Sequence, residues 1–267
     1  ARDLPAYAAH NDLGTATVLA AMHEAGVRAL VQASSMVVYG EGRYRCERHG
    51  VQRPLPRRVA DLDDGRFENR CGSCGSALGW ELVDEDAPLD PRSAYAASKV
   101  AQEHYAAAWA RQSSGTAVSL RFHNVYGPGM PRDTPYSGVA ALFRSALEAG
   151  RRPAVFEDGG QVRDFVHVTD VARATALALE AAGSREPGSH AAYNVCSGVP
   201  VSILEVATRV ARGAERWREP RVTGEYRLGD VRHVVASPER AREELGFTAR
   251  VHPRAGLAAF ARDPLRA

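Results

Sequence analysis

Two side chains four residues apart, Tyr95 and Lys99, carry the plainest chemical message in this chain. On a helix, residues at that spacing share a face, so a phenol and an ammonium point the same way, one turn apart. The local sequence favours a helix. Asp90-Pro91 and Ser93 supply capping and first-turn chemistry, and Ala94 through Ala110 is rich in Ala with Gln, Glu and Lys. An ammonium beside a phenol favours the phenolate, so the spacing predicts a tyrosine lowered from about 10 that can take and return a proton. Composition sharpens this. Lys and Arg total 34, and Lys99 is the one lysine among them. A chain that uses arginine nearly everywhere keeps an ammonium where a guanidinium fork would not serve. The competing reading is a surface helix with one stray lysine.

A second cluster points to metal. Cys46-x-x-His49 is followed, after 21 residues, by Cys71-x-x-Cys74 in the form Cys-Gly-Ser-Cys-Gly. Two knuckles, each offering two soft ligands, are the usual way to close a tetrahedral structural zinc site, and four protein ligands leave no open position for a catalytic one. A redox dithiol at Cys71 and Cys74, or unrelated thiols, are the alternatives. Cys196, after an expected strand, reads as an ordinary core thiol.

The elements that must position these groups follow from local pattern. Asn11-Asp12-Leu13-Gly14-Thr15 leads into a helix, Ala16 to Glu24, stopped at Gly26. Val27 to Ala33 reads as a buried strand, ending in Ser34-Ser35-Met36-Val37-Val38-Tyr39-Gly40. Reactive side chains at a strand's carboxyl end are the layout of an open parallel sheet with ligands in that crevice. After the Tyr95 helix, Ala117 to Phe122 is the next strand and delivers His123 and Asn124 to the same place. Residues 128–160 read as loop, a helix (Val139 to Ala149) and a short strand, 154–156. Asp170 reads as the cap of a helix from Val171 to Ala182. Ser202-x-x-Glu205 is a capping box for a helix ending near Gly213, and Ser237-Pro238 starts another that stops at Gly246.

With Ser-Ser-x-x-x-Tyr-Gly and Tyr-x-x-x-Lys both in place, the chain resembles the extended short-chain dehydrogenase/reductase family, in its NAD-dependent nucleotide-sugar epimerase/dehydratase branch. Four more stretches match in the family's order. They are Tyr7-x-x-x-Asn11-x-x-Gly14-Thr15, Arg121-Phe122-His123-Asn124-Val125-Tyr126-Gly127-Pro128-Gly129, Arg163-Asp164-Phe165-Val166-His167-Val168-x-Asp170-Val171-Ala172, and Tyr193-Asn194-Val195-x-Ser197-Gly198. The resemblance covers nearly the whole chain apart from residues 41–88. It departs at the front: no Gly-x-Gly-x-x-Gly occurs anywhere, and the first residue is Ala. The expectation is a chain lacking the first elements of the nucleotide-binding half, and with them half of the cofactor site.

The resemblance implies an α/β fold: a partial Rossmann-type doubly wound parallel sheet with a smaller C-terminal substrate lobe and a zinc-knuckle insert. Residues 1–40 and 89–127 would be the remaining NAD-binding part, 41–88 the insert, and 128–267 mainly the sugar-nucleotide lobe. It implies Ser35, Tyr95 and Lys99 as catalytic residues. Asn11, Ala33, Ser34, Tyr95, Lys99 and His123 would bind NAD. Met36, Val37, Asn124, Phe156, Arg163, Arg227 and Arg232 would bind the sugar nucleotide. Phe156 reads equally as a core aromatic, and Arg163 as a surface residue paired with Asp164. Arg227 is the first choice for a phosphate contact in the segment Tyr226–His233, and Arg232 the second.

The implied reaction is reversible oxidation of a sugar hydroxyl, with C4 epimerisation of a dTDP- or UDP-sugar as the outcome. The family's 4,6-dehydratases carry Asp-Glu where this chain has Met36-Val37, and Met and Val can neither move a proton nor expel water. The cysteine-bearing insert resembles that of sugar epimerases acting on dTDP-deoxysugars, the dTDP-rhamnose 4-epimerases among them. A 4-keto-sugar reductase, or a non-catalytic truncated paralogue whose zinc module is an interaction surface, are the alternatives. The resemblance also implies a homodimer at full length.

Composition bounds the rest. At 267 residues and 45% hydrophobic, the chain can bury a sizeable core. A net charge of +2 gives no electrostatic case for nucleic acid. No apolar run reaches the ~18 residues needed to span a bilayer. Three of the four cysteines fall in the metal-like cluster, which points to a reducing cytoplasm rather than a disulfide scaffold.

Overall fold

From Leu4 to Glu24 the chain is one continuous helical rod with a widened middle. The computed structural model describes residues 3–132 and 138–266. It runs from α1 (Leu4–Tyr7) through a π-helix, Ala8–Leu13, into α2 (Gly14–Glu24), and Gly26 at φ 70° supplies the expected stop. β1 (Ala29–Ser35) follows and ends in a 3-10 turn, Met36–Tyr39, whose first free N–H, that of Val37, is taken by the Ser35 hydroxyl.

The chain then leaves the sheet. β2 (Arg43–Cys46), β3 (Gly50–Gln52), α3 (Val59–Asp63) and β4 (Gly79–Glu81) form the insert, with antiparallel order β3-β2-β4. Its own core is Tyr44, Cys46, Cys71 and Leu78. Apolar side chains alone do not fill it, as its Arg- and Pro-rich composition implies. Its two ends are pinned together: Asp90 N–H donates to the Val38 carbonyl at 2.9 Å. Gly40 turns there at φ 61°, where a Cβ would lie 2.3 Å from the Asp90 carbonyl oxygen.

The remaining elements, in order, are α4 (Ala94–Ser113), β5 (Thr116–Phe122), β6 (Asn124–Tyr126), α5 (Val139–Glu148), β7 (Ala154–Val155), β8 (Val162–His167), α6 (Val168–Ala182), β9 (His190–Val195), β10 (Pro200–Ser202), α7 (Ile203–Gly213), β11 (Arg221–Val222), α8 (Glu239–Leu245) and α9 (Pro253–Phe260). β1, β5 and β9 form a parallel sheet in the order β1-β5-β9. Alternation along β5 sends Ala117 toward Leu19, Ala106, Trp109 and Ala110 of α2 and α4, and Val118 and Leu120 toward Val171, Ala174 and Ala178 of α6. Helices thus cover both faces, the doubly wound layout. β10-β8-β6 and the pair β11-β7 pack with α5, α7 and α9 around a second core that includes Phe143, Val155, Phe165 and Phe260. The expected loop includes residues 133–137, which lie outside the described residues.

Two expectations need correction. The apolar run predicts a buried β1, yet Ser34 is its one buried residue and Ala33 is exposed. Among the described strands β1 pairs only with β5, so it is an edge strand. Asp170 is not the cap of α6; His167 is, with its Nδ1 accepting the Thr169 N–H. Asp170 sits within the first turn and accepts the N–H groups of Arg250 and Val251, tying the C-terminal segment to α6. The other caps fall where expected. Ser93 Oγ accepts the Ala96 N–H, Ser202 Oγ accepts the Glu205 N–H, and Gly246 ends α8 at φ 64°.

Candidate active site

At the carboxyl ends of β1 and β5 lies a cavity of about 580 Å³, whose walls include Ser35, Met36, Tyr95, Lys99, His123 and Asn124. Tyr95 and Lys99 are delivered from one face of α4, as their spacing requires. Lys99 Nζ donates to the Ala33 carbonyl at 2.9 Å and stands 5.9 Å from the Tyr95 ring centroid. Tyr95 packs on Tyr7 of α1, with ring centroids 5.6 Å apart.

The electrostatics differ from the expectation. Burial raises the Tyr95 phenol above its usual value, and a hydrogen bond from Ser35 offsets this only in part. Lys99, its ammonium 5.9 Å from the ring centroid and donating to the Ala33 carbonyl, is not among the causes of this shift, and burial pushes its own value down. Ser35 is therefore the group that assists the phenolate. Behind the cavity, Arg121 donates from Nε and Nη2 to both Glu103 oxygens, at 3.0 and 2.8 Å. Ser34 also donates to Glu103, so its hydroxyl is committed to that buried pair although the residue borders the cavity.

His123 is buried, and burial lowers it to about 3. Below 6.5, the value it holds in an unfolded chain, unfolding takes up a proton that the folded state refuses, so stability falls as pH drops from 6.5 toward 3. The slope for one proton is about 1.4 kcal/mol per pH unit. His123→Phe should remove that slope. Urea unfolding of both proteins at several pH values across this window measures it, and parallel curves would contradict the assignment. Asp164, raised to about 6 by burial, acts in the opposite sense and is common to both proteins.

Asn124 joins this cavity to a second one of about 450 Å³, since it lines both. The second is walled by Phe156, Arg163, Arg227 and Asp230, with Leu142 and Phe143 of α5 behind them. Arg227 lies over the Phe156 ring, its guanidinium carbon 5.3 Å from the centroid. Arg163 donates to the carbonyls of Val162, Arg232 and Val231, and no carboxylate lies within ion-pair distance among the described residues. It is not paired with Asp164, whose oxygens accept the N–H groups of Ser197 and Gly198. The Arg163 guanidinium is thus held by carbonyls and carries a charge that no ion pair neutralises among the described residues.

Three expected site residues stand elsewhere. Arg232 is buried and lines neither cavity; its guanidinium is filled by Glu68, Glu157 and Asp158, so it has no fork left for phosphate. Val37 lines neither cavity; of the 3-10 turn, Met36 faces in, and the Val37 N–H donates to Ser35 Oγ. Asn11 supports rather than lines: its Nδ2 donates to Ser98 Oγ at 2.8 Å, fixing the π-helix against α4. Glu103 and Asp230 were not anticipated. Glu103 lies four residues after Lys99, a spacing that could have marked it.

In the insert, Cys46, His49, Cys71 and Cys74 bring one ligand atom each to within 4.8 Å of one another. Cys46 Sγ is 3.5 Å from His49 Nδ1 and 3.7 Å from Cys74 Sγ, and Cys71 Sγ is 3.5 Å from the same nitrogen. No two are joined as a disulfide. Hydrogen bonds with the Ser76 side chain and backbone hold the Cys74 thiol down at about 6. Cys196 is a buried core thiol, as expected.

A parallel sheet wound on both faces, with Ser, Tyr and Lys converging at its carboxyl edge, defines a Rossmann-like α/β protein of the dehydrogenase type. The chain belongs to the NAD dependent epimerase/dehydratase family, whose model matches residues 72–196. It is similar to a dTDP-L-rhamnose 4-epimerase of Burkholderia thailandensis, 33% identical over 89% of this chain and 63% of that protein. A UDP-glucose 4-epimerase of Mycolicibacterium smegmatis is 38% identical over 66% of this chain and 54% of its own length. Among solved structures, MoeE5 in complex with UDP-glucose and NAD aligns over 96% of this chain and 71% of its own, at 30% identity and a TM-score of 0.72. The chain thus spans just over half to under two thirds of the curated relatives it matches. No helix among the described residues is long and apolar enough to cross a membrane.

Proposed function

We propose that this chain carries the proton-transfer and nucleotide-binding machinery of an NAD-dependent nucleotide-sugar 4-epimerase acting on a dTDP- or UDP-sugar. The observation that carries the reading is the pair of cavities joined at Asn124. One holds a phenol, a hydroxyl and an ammonium; the other holds an aromatic ring, a stacked arginine and, beside Glu157 and Asp230, a guanidinium that is ion-paired to neither. The sugar would sit in the first, the nucleotide in the second and the diphosphate at Asn124, Arg163 and Arg227.

The catalytic cavity fits the nicotinamide end of NAD. Lys99 offers an ammonium donor, and no carboxylate lines the cavity among the described residues. Residues 1–40 and 89–127 would hold the cofactor, and 128–267 mainly the sugar nucleotide. When bound, NAD supplies the hydride acceptor and donor. The chain's own residues do the rest. Tyr95, as phenolate, takes the proton of the sugar hydroxyl, Ser35 hydrogen-bonds the same oxygen and assists the phenolate, and Lys99 would hold the cofactor ribose. Met36 beside Asn124 supplies only a wall, consistent with epimerisation and not dehydration. Two relatives' names agree with this outcome.

The insert's four ligands would hold one structural zinc. In a tetrahedron with Zn–S bonds of about 2.3 Å, sulfurs stand roughly 3.8 Å apart, close to the separation found here. A homodimer in the cytoplasm belongs to the same reading, supported by the family resemblance and four cysteines left as thiols.

The direct test is conversion of UDP-glucose or dTDP-rhamnose to its C4 epimer by the natural protein that carries this chain, followed by proton NMR. No conversion of any dTDP- or UDP-hexose with NAD present would refute the reading. In the same protein, Arg163→Met should weaken binding of UDP or dTDP by at least about tenfold, since a charged hydrogen-bonding fork is lost. Calorimetry measures it, and unchanged affinity would move the diphosphate elsewhere.

A further inference from the structure

No insert residue lines either cavity, yet the insert holds the nucleotide cavity together. That cavity has two facing walls far apart in sequence, residues 154–157 and 227–231. Arg57 of the insert spans them. Its Nη2 donates to Glu157 Oε1 at 2.8 Å and to the Asp230 carbonyl at 2.7 Å, while Nη1 donates to the Phe67 carbonyl at 3.1 Å. The Arg57 side chain is 6% exposed and that of Glu157 2%, so the ion pair is shielded from water, where such bonds are strongest, while the bond to the Asp230 carbonyl is exposed.

Each wall depends on it. Glu157 sits at φ 53°, a conformation costly for any residue but glycine, which persists only where the surroundings over-determine it. Its two carboxylate oxygens are both held, one by Arg57 and the other by Arg232. The turn it fixes aims the adjacent Phe156. On the opposite wall the insert fixes the backbone directly: Glu41 accepts the Arg232 N–H and Tyr44 Oη accepts the His233 N–H, both at 2.9 Å. The carbonyls of Val231 and Arg232, so placed, are two of the three that orient Arg163.

We propose that Arg57 is a positioning residue for nucleotide binding, and that through it the insert sets the cavity's affinity for a nucleoside diphosphate without touching it. This rests on the nucleotide reading given above. Linkage makes the effect reciprocal: a diphosphate in the cavity must stabilise the folded insert by the same factor.

The test titrates UDP and dTDP calorimetrically into the natural protein and its Arg57→Met and Arg57→Lys variants, and follows proteolysis within residues 41–88 with and without saturating UDP. Arg57→Met should weaken the tighter diphosphate by about tenfold, the loss expected for a buried charged hydrogen bond. Arg57→Lys should recover part of it, and UDP should slow cleavage of the insert in the parent but not in Arg57→Met. Affinity within about twofold of the parent, with the insert folded, would overturn the proposal. So would insert cleavage in the parent that ignores UDP. If Arg57→Met does not fold, Glu68→Gln loosens the same wall from its solvent side, and unchanged affinity there would equally overturn it. A parent that binds neither diphosphate brings down the nucleotide reading too, whereas a parent that binds with no Arg57 effect removes only the coupling.

Discussion

Tyr95→Phe in the natural protein carrying this chain is expected to cut turnover by at least about a thousandfold while leaving UDP or dTDP affinity nearly intact. The variant keeps the ring that packs on Tyr7 and loses only the oxygen proposed above to accept the sugar proton. General acid–base groups contribute about a hundred- to ten-thousandfold, and no carboxylate lines this cavity among the described residues to take over the proton. The pH profile adds a check. Burial raises the phenol and Ser35 lowers it, so Ser35→Ala should move the rising limb of the rate to higher pH. Turnover within a few-fold of the parent for Tyr95→Phe would remove Tyr95 from the centre of the mechanism.

The second large effect concerns the knuckles. Protein purified without chelators should carry about one zinc per chain, and Cys71→Ser/Cys74→Ser should carry almost none. The cluster around the proposed ligands is Tyr44, Leu78, Cys46 and Cys71, so little apolar packing would hold that part of the insert without a metal. Residues 41–88 should then become the first site of proteolysis. Elemental analysis and mass mapping of the cleavage products measure both. Zinc-free protein with Cys71 and Cys74 freely alkylated would favour a redox dithiol instead.

Which features could be read in the sequence depended on how far their physical causes reach along the chain. Tyr95 and Lys99 meet because of helical periodicity, Ser93 and Ser202 cap because each hydroxyl reaches an N–H only three residues on, and the two knuckles declare themselves by spacing. All of these signals are local; the structure shows the helix face and both caps, and it gathers the four Cys and His side chains of the knuckles. The errors are non-local. Arg232 looked like a phosphate ligand because it lies in the right segment, but Glu68, from the distant insert, already claims it. Tyr95 looked acidified by Lys99 because the pair is close in sequence, yet its environment is set by burial and by Ser35 across the sheet. Asp170 looked like a cap, but its carboxylate serves the C-terminal N–H groups instead. Arg57, in an Arg- and Pro-rich run, gave no sign of joining two walls of a cavity. The π-helix at Ala8–Leu13 has no sequence signature of its own, and shows only in how Asn11 meets Ser98.

The pinned base of the insert bears on how such a chain could be shortened. Because Val38 and Asp90 are already hydrogen-bonded across the gap, everything between them is a closed loop whose ends the sheet fixes, and closure entropy grows only slowly with its length. A short turn could replace it without disturbing β1 or α4. Such a graft would, however, strip Glu41 and Glu68 from Arg232, whose side chain is 1% exposed. Arg232 would keep Glu157 and Asp158, so the loss there is the Glu68 ion pair and the acceptor of its N–H. The same excision would take Tyr39 and the Glu85 carbonyl from buried Arg121, so the loop between Val38 and Asp90 is tied to two arginines far downstream and a graft would have to replace both sets of contacts.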